Sequence, residues 1–328
     1  ITPICNNVYY TSQLIKEISS HTESKYKLIL IDNGSSDDTV DLLKSYKDDV
    51  NVTVIKNNEN MGFAYANNQG IQRAESEYIC FLNNDVLLYP AWDIDLLRPF
   101  SHYNDIGATG PVTNNCAGVQ CEDYTLQNID KEYYRVIAEQ RSKELANNYR
   151  EYHRVIGFCL MAETKLIQEI RGFDEGFNIG NFEDDDLCVR ILLSKKKILI
   201  CENAFIYHYG SQSFKENNIN HLKSLNYNAK VFKNKWDIEL LKNGNYNYNL
   251  NSLNVDNIIN KNYLTNTDPV ANSFKRAPKC ATLGHLKKLK QLITKRSHHE
   301  VKTEYKNLLR IRPFHPEATL QLIDYYLE

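Results

Sequence analysis

Short apolar runs alternating with helix-length amphipathic stretches fill the first part of the chain, and this rhythm restricts the fold more than any other feature. Residues 27–31, Lys-Leu-Ile-Leu-Ile, read as a buried strand. The polar stretch from Asp32 to Thr39 reads as a turn. Ser35 or Ser36 is expected to cap a helix running to about Tyr46, with acids in the first turn where the helix dipole favours them. Val52 to Ile55 predicts a second strand, residues 62–74 a helix opened by Gly62, and Tyr78 to Leu82 a third strand ending at Asn83-Asn84-Asp85. Strand–helix–strand–helix–strand predicts an α/β fold with a doubly wound, mostly parallel sheet flanked by helices. Ligands of such sheets bind beyond the carboxyl ends of the strands, where Asp32 and Asp85 fall.

Further along, residues 113–154 are polar, with a helical stretch around Lys131–Tyr149, and read as an excursion over the site. Val155 to Met161 returns as a strand, and Leu166 to Ile170 is a short helix before Gly172-Phe173-Asp174. A helix over 185–194, strands at Ile198 to Cys201 and Ala204 to Tyr207, and an amphipathic helix near 221–235 complete a first domain, residues 1–236. Residues 237–280 read as an Asn-rich linker. Residues 281–328 read as a small α-helical C-terminal region, a helix-hairpin array that could also mediate oligomers.

The net charge is −2 over 328 residues, so no global basic field invites nucleic acid. No apolar stretch is long enough to span a membrane, and no signal-peptide pattern opens the chain. The cysteines are scattered without a CxxC pair, which predicts free thiols, no structural zinc and a reducing, cytoplasmic setting, extending to the inner face of the membrane. The chain starts at Ile1, so a trimmed start is expected, with the first strand clipped to Ile1-Thr2. No GxGxxG, Walker-type or GxSxG motif is present.

The chemistry concentrates in Gly-Asn-Phe-Glu-Asp-Asp-Asp-Leu-Cys, residues 180–188. Phe182, Leu187 and Ile191 share a helix face, which places the four acids Glu183 to Asp186 at a helix entry. Adjacent carboxylates there are either solvated or held as a site in which one takes a proton from an alcohol and a neighbour orients the acceptor. Asn83-Asn84-Asp85 suits a hard divalent cation bridging phosphates, and equally a polar turn. Asp32 could accept from a base or ribose, or close its own turn. His208, after an apolar strand, is either a packing residue or a further metal or phosphate ligand.

Several segments then match a known family in order. They are Thr2-Pro3-Ile4-Cys5-Asn6-Asn7, Ile31 to Thr39, Asn60-Met61-Gly62-Phe63-Ala64 with Asn67-Asn68, Leu82-Asn83-Asn84-Asp85, Gly110 to Asn114, Gly172-Phe173-Asp174-Glu175 and Gly180 to Cys188. Over about residues 1–236 the chain resembles family 2 glycosyltransferases of the GT-A fold. The resemblance implies inverting transfer from a nucleoside-diphosphate sugar with Mn2+ or Mg2+. A UDP-sugar is favoured as donor, with dTDP- or GDP-sugars as alternatives, and the acceptor is a glycan or protein hydroxyl. It implies that Pro3 and Asn6 line the nucleotide pocket, that Asp32 holds the base or ribose, and that Asn67 helps at the base. Asn83, Asn84 and Asp85 stand at the DxD position. Asn replaces the first acid there, which leaves Asp85 as the main metal ligand. His208 corresponds to a late His near metal or diphosphate, and Asp184 to the catalytic base with Glu183 beside it. The tail resembles tetratricopeptide helices. The alternatives are a catalytically idle glycan- or protein-binding module on the same fold, and a nucleotidyltransferase, which would need a Gly-rich, Arg-containing loop absent from Thr2 to Tyr10.

Overall fold

The computed structural model describes residues 1–121, 131–177, 179–210, 221–236, 238–240 and 246–247. The predicted tail, residues 281–328, and most of the predicted linker lie outside them. Within the linker, Glu239–Leu240 pairs with Tyr246–Asn247 as a small antiparallel hairpin.

The N-terminal strands are β1 (Thr2–Ile4), β2 (Leu28–Asn33) and β3 (Val52–Asn57), all parallel. The first strand, expected over Ile1-Thr2, runs from Thr2 to Ile4. It also joins the next sheet: the Ile1 nitrogen donates to the Cys80 carbonyl at 2.7 Å, and Leu82 N–H donates to the Ile1 carbonyl at 3.0 Å. The second sheet runs β4 (Tyr78–Leu82), β8 (Cys159–Glu163), β6 (Ile106–Val112), β9 (Lys197–Phe205) and β7 (Tyr149–Tyr152). Here only β6–β9 is parallel, while β8 and β7 run antiparallel to their neighbours. The sheet is thus parallel in its N-terminal part and mixed beyond it. A two-residue ribbon, β5 (Val86–Leu87) with β10 (Tyr207–His208), stands at the strand ends.

Side-chain alternation explains the covering of both faces. Leu160 and Ala162 of β8 face one core with Phe81, Phe173 and Ile191, whereas Cys159 and Met161 face another with Leu14, Leu30 and Leu96. α1 (Val8–His21), α2 (Thr39–Ser45) and α4 (Trp92–His102) supply or flank the second core, while α3 (Phe63–Ile71), α6 (Thr164–Glu169) and α7 (Glu183–Leu193) pack on the first. α5 (Lys131–Glu144) and α8 (His221–Trp236) complete the described helices. No described helix is long and apolar enough to cross a membrane. The described cysteines are free thiols.

Several boundaries move for identifiable reasons. α2 starts after Asp38 rather than at a Ser cap; the Ser35 hydroxyl accepts instead from Asn6 N–H at 2.9 Å, and the Ser35 and Ser36 N–H groups donate to Asp32 Oδ1 and Asn6 Oδ1. The polar excursion is only partly an excursion: its end, Tyr149–Tyr152, adds an edge strand to β9. The strands expected at Ile198 to Cys201 and Ala204 to Tyr207 join through Phe205 as one strand with an irregularity where its pairing passes from Cys201 to Phe205, and Tyr207 belongs to β10.

α7 is fixed by a buried ionic cluster. Asp186 accepts from Arg190 Nε at 2.8 Å and from the Trp236 indole at 2.8 Å, and Lys235 Nζ lies 2.5 Å from Asp186 and 2.6 Å from Asp174. Burial pushes the Asp186 carboxyl up, but Lys235 and Arg190 outweigh it and hold it below the usual carboxylate value. Removing one partner of such a group leaves a buried charge without compensation. Lys235→Met should therefore cost about 3–5 kcal/mol in urea denaturation at neutral pH. Burial already raises Asp174, and loss of the ammonium moves both carboxyls up, so the deficit should shrink as pH falls from 8 to 5. A loss below about 0.5 kcal/mol at pH 7 would show the cluster to be dispensable.

Candidate active site

The strand ends place the predicted residues in two adjoining groups. The first lies at the ends of β1 and β2. Pro3 sits opposite Ile31, and Asp32 is almost fully buried with Oδ1 accepting from Ser35 N–H at 2.8 Å. Asn6, at φ 60°, accepts from Ser36 N–H at 2.8 Å while its own N–H donates to Ser35 Oγ. Gly34 makes this turn close: at φ +83°, a Cβ there would lie 2.6 Å from the Glu59 carbonyl carbon. Asn67 is fully enclosed in α3, where its amide donates to the Phe63 carbonyl one turn earlier.

The second group lies at the ends of β4 and β8. Asn83 N–H donates to the Phe158 carbonyl at 2.9 Å. The Asn84 amide donates to Thr11 Oγ1 at 3.1 Å, so the middle residue of the triplet braces α1. Asp85 faces His208, with Oδ1 to Nε2 at 3.4 Å, and its carbonyl accepts from Tyr209 N–H. His208 is gripped by residues absent from the sequence-based site. Asn114 accepts from its N–H at 2.8 Å and donates to its carbonyl, and Nδ1 lies 2.7 Å from the Asn115 carbonyl. A carbonyl only accepts, so Nδ1 carries the proton, and in the neutral ring Nε2 presents a lone pair toward Asp85. Phe158 stacks on the His208 ring, with centroids 5.0 Å apart and planes 14° apart.

The acidic run joins this group through Gly157. Its N–H donates to Asp184 Oδ2 at 2.7 Å, and Asp184 Oδ1 accepts from Asp185 N–H at 3.0 Å. A Cβ on Gly157 would stand 3.2 Å from Asp184 Cβ, so the close approach favours glycine. One contact path therefore runs from Asp184 through Gly157 and Phe158 to His208 and Asp85. The four carboxylates are differentiated. Asp186 belongs to the ionic cluster, and Asp185 pairs with Arg154 at 3.3 Å. Burial, then the neighbouring Asp185 charge, pushes Asp184 up to about 6. Burial, then Asp184, pushes Glu183 well above the usual range.

Asp85 and His208 fit a hard divalent cation. Two lone-pair donors face one another, His208 Nε2 has no hydrogen-bond partner among the described residues, and their 3.4 Å separation approximates that of adjacent ligands on such an ion, about 3 Å. The described residues contain no group of three or more His, Cys, Asp or Glu side chains arranged for a metal. A cation here would thus need ligands from a bound phosphate, as magnesium and manganese sites usually do. Two structural residues could have been found from sequence. Lys235 falls on the apolar helix face with Phe232 and Trp236, where a lysine needs a buried acid, and Arg154 directly precedes an apolar run.

Residues 1–170, more than half of the chain, match the family model described as Glycosyl transferase family 2. An uncharacterized glycosyltransferase of Rickettsia bellii is 24% identical over 200 residues, 61% of this chain and 26% of that protein. The minor teichoic acid biosynthesis protein GgaB of Bacillus subtilis is 28% identical over 215 residues, 64% of this chain and 22% of its own length. The chain thus spans about a quarter of the length of these curated relatives. The mannosyltransferase PcManGT of Pyrobaculum calidifontis, solved with GDP-Man and Mn2+, superposes with a TM-score of 0.50 at 14% identity. That match covers 98% of this chain and 86% of PcManGT, a likeness of fold.

Asp85→Asn should lower Mn2+ affinity, measured by calorimetry with UDP present, at least about tenfold. His208→Ala should do the same. Unchanged affinity in both variants would remove the cation from this position.

Proposed function

The chain belongs to the family 2 glycosyltransferases, and from that premise we propose that it is a metal-dependent, inverting transferase. It moves a sugar from a nucleoside diphosphate, a UDP-sugar before dTDP- or GDP-sugars, to an acceptor hydroxyl of a surface glycan. The observation that carries this reading is the contact path from Asp184 to Asp85. It joins a carboxylate of raised basicity to a pair suited to a diphosphate-bound cation. The glycan class is supported by the likeness to GgaB, which is described as acting in teichoic acid biosynthesis.

In this reading Asp184 accepts the proton of the acceptor hydroxyl. The oxygen attacks the anomeric carbon from the face opposite the diphosphate, and the bond from that carbon to the diphosphate oxygen breaks. Gly157 N–H holds the carboxylate in place before reaction. Burial, and then the Asp184 charge, pushes the Glu183 carboxyl up, which disfavours a second negative charge beside the base. Asp85 and His208 would hold Mn2+ or Mg2+, which supplies positive charge for the departing diphosphate when bound. Asn6, Asp32 and Pro3 line the nucleotide side, with Asn83 at its junction with Asp85. Asn84 and Asn67 act there as braces.

The base must be ionised, and its value lies at about 6. The rate kcat/KM should therefore rise with pH through about 6 and level off above it. A sugar nucleotide that raises Tm in the presence of Mn2+ identifies the donor by mass action. With that donor, Asp184→Asn should reduce transfer by at least about a thousandfold, with donor affinity within about threefold. Full turnover in Asp184→Asn refutes the base. Absence of both transfer and hydrolysis with every sugar nucleotide tried would leave an idle binding module.

A further inference from the structure

The turn that delivers Asp184 is held in an unfavourable shape. Asn181 at φ 83° and Phe182 at φ 72° are consecutive left-handed residues, and neither is glycine. Phe182 is the N-cap of α7, and Asp184 stands two residues later in the first turn. The direction of the Asn181–Phe182 backbone therefore sets where the Asp184 carboxylate points. L-residues leave this region unless their surroundings over-determine it.

The surroundings come from α8, beyond the segment that matches the family model. Asn228 Nδ2 donates to the Gly180 carbonyl at 2.8 Å and to the Asn181 carbonyl at 3.0 Å. Ser224 Oγ donates to the same Gly180 carbonyl at 3.0 Å. One turn further, Phe232 packs on Phe182 with ring centroids 5.5 Å apart. Asn228 is completely buried, on a helix face otherwise carrying Leu225, Ala229, Phe232 and Trp236. A buried carboxamide amid apolar side chains is costly unless its hydrogen bonds are made. A leucine there would add apolar burial but would leave both carbonyls without this donor.

We propose that Asn228, assisted by Ser224, is a positioning residue for Asp184: its amide locks the Gly180–Asn181 carbonyls and so fixes the left-handed entry that aims the base. This rests on the transferase reading for its catalytic consequence, but not for its geometry. The geometric readout is the Gly157 amide, whose hydrogen is held by Asp184 Oδ2.

The test compares the full chain with Asn228→Leu, the milder Ser224→Ala, and Asn228→Leu combined with Asn181→Gly. Glycine takes a positive φ without steric cost, so it removes the strain at position 181 without restoring the clamp, and with it goes the Asn181 amide's own hydrogen bond to the Gly180 carbonyl at 2.6 Å. In Asn228→Leu, kcat should fall about 10- to 100-fold with donor KM within about threefold, as a misplaced base requires. Ser224→Ala should show a smaller fall in kcat. Hydrogen exchange at Gly157 should accelerate in Asn228→Leu, and Asn181→Gly should recover both exchange protection and most of kcat. Wild-type kcat and Gly157 protection in Asn228→Leu would overturn the proposal. So would a loss that follows Tm across the variants and is not recovered by Asn181→Gly. If the unaltered protein transfers and hydrolyses no sugar nucleotide, the transferase reading fails, and Gly157 exchange still decides the clamp.

Discussion

Compensation of the buried charge on Asp186 makes the rest of the site physically tenable. Four adjacent carboxylates at one helix entry cannot all stay ionised and enclosed without partners. Arg190 and Lys235 take Asp186, and Arg154 takes Asp185. Enclosure, and then the Asp184 charge, pushes the Glu183 carboxyl up. Asp184 is thereby placed between these states, with a basicity suited to proton transfer near neutral pH and two N–H groups to orient it. The same cluster ties α7 to α8, so the electrostatic solution also fixes the position of the helix.

The second half of the site depends on a different device. His208 has no freedom of tautomer, because a backbone carbonyl faces Nδ1. Its ring is stacked on Phe158, the residue after the glycine that holds Asp184. The Gly157–Phe158 dipeptide just before β8 thus spaces Asp184 from Asp85. Strand β8 runs antiparallel to both neighbours, which brings its amino end to the edge where β4 and β6 end.

Much of the fold was legible in the sequence because its signals are local. The apolar run at residues 27–31, the Gly62 helix start and the Tyr78–Leu82 strand each declare themselves through neighbouring residues. The antiparallel insertion of β8 and the edge strand β7 were not legible, since a strand's direction leaves no trace in its own composition. In the site, the acidic run and the Asp85 triplet stood out by residue type. The inward turn of Asn84 to Thr11 and the enclosure of Asn67 did not, because an amide reads the same in sequence whether it braces a helix or meets a ligand.

The sequence alone determined the class of fold, the strand ends at which chemistry would gather and the run of acids that had to be rationalised. These follow from periodicity and residue type, which act over a few positions. Only the tertiary structure decided which acid is compensated by which cation, and that Gly157 binds Asp184. It alone revealed that a helix about 40 residues later grips the turn before α7, as in the Asn228 hydrogen bond to Gly180, a separation of 48 positions. Those outcomes depend on burial and on pairing between distant segments, and neither quantity exists until the chain has closed on itself.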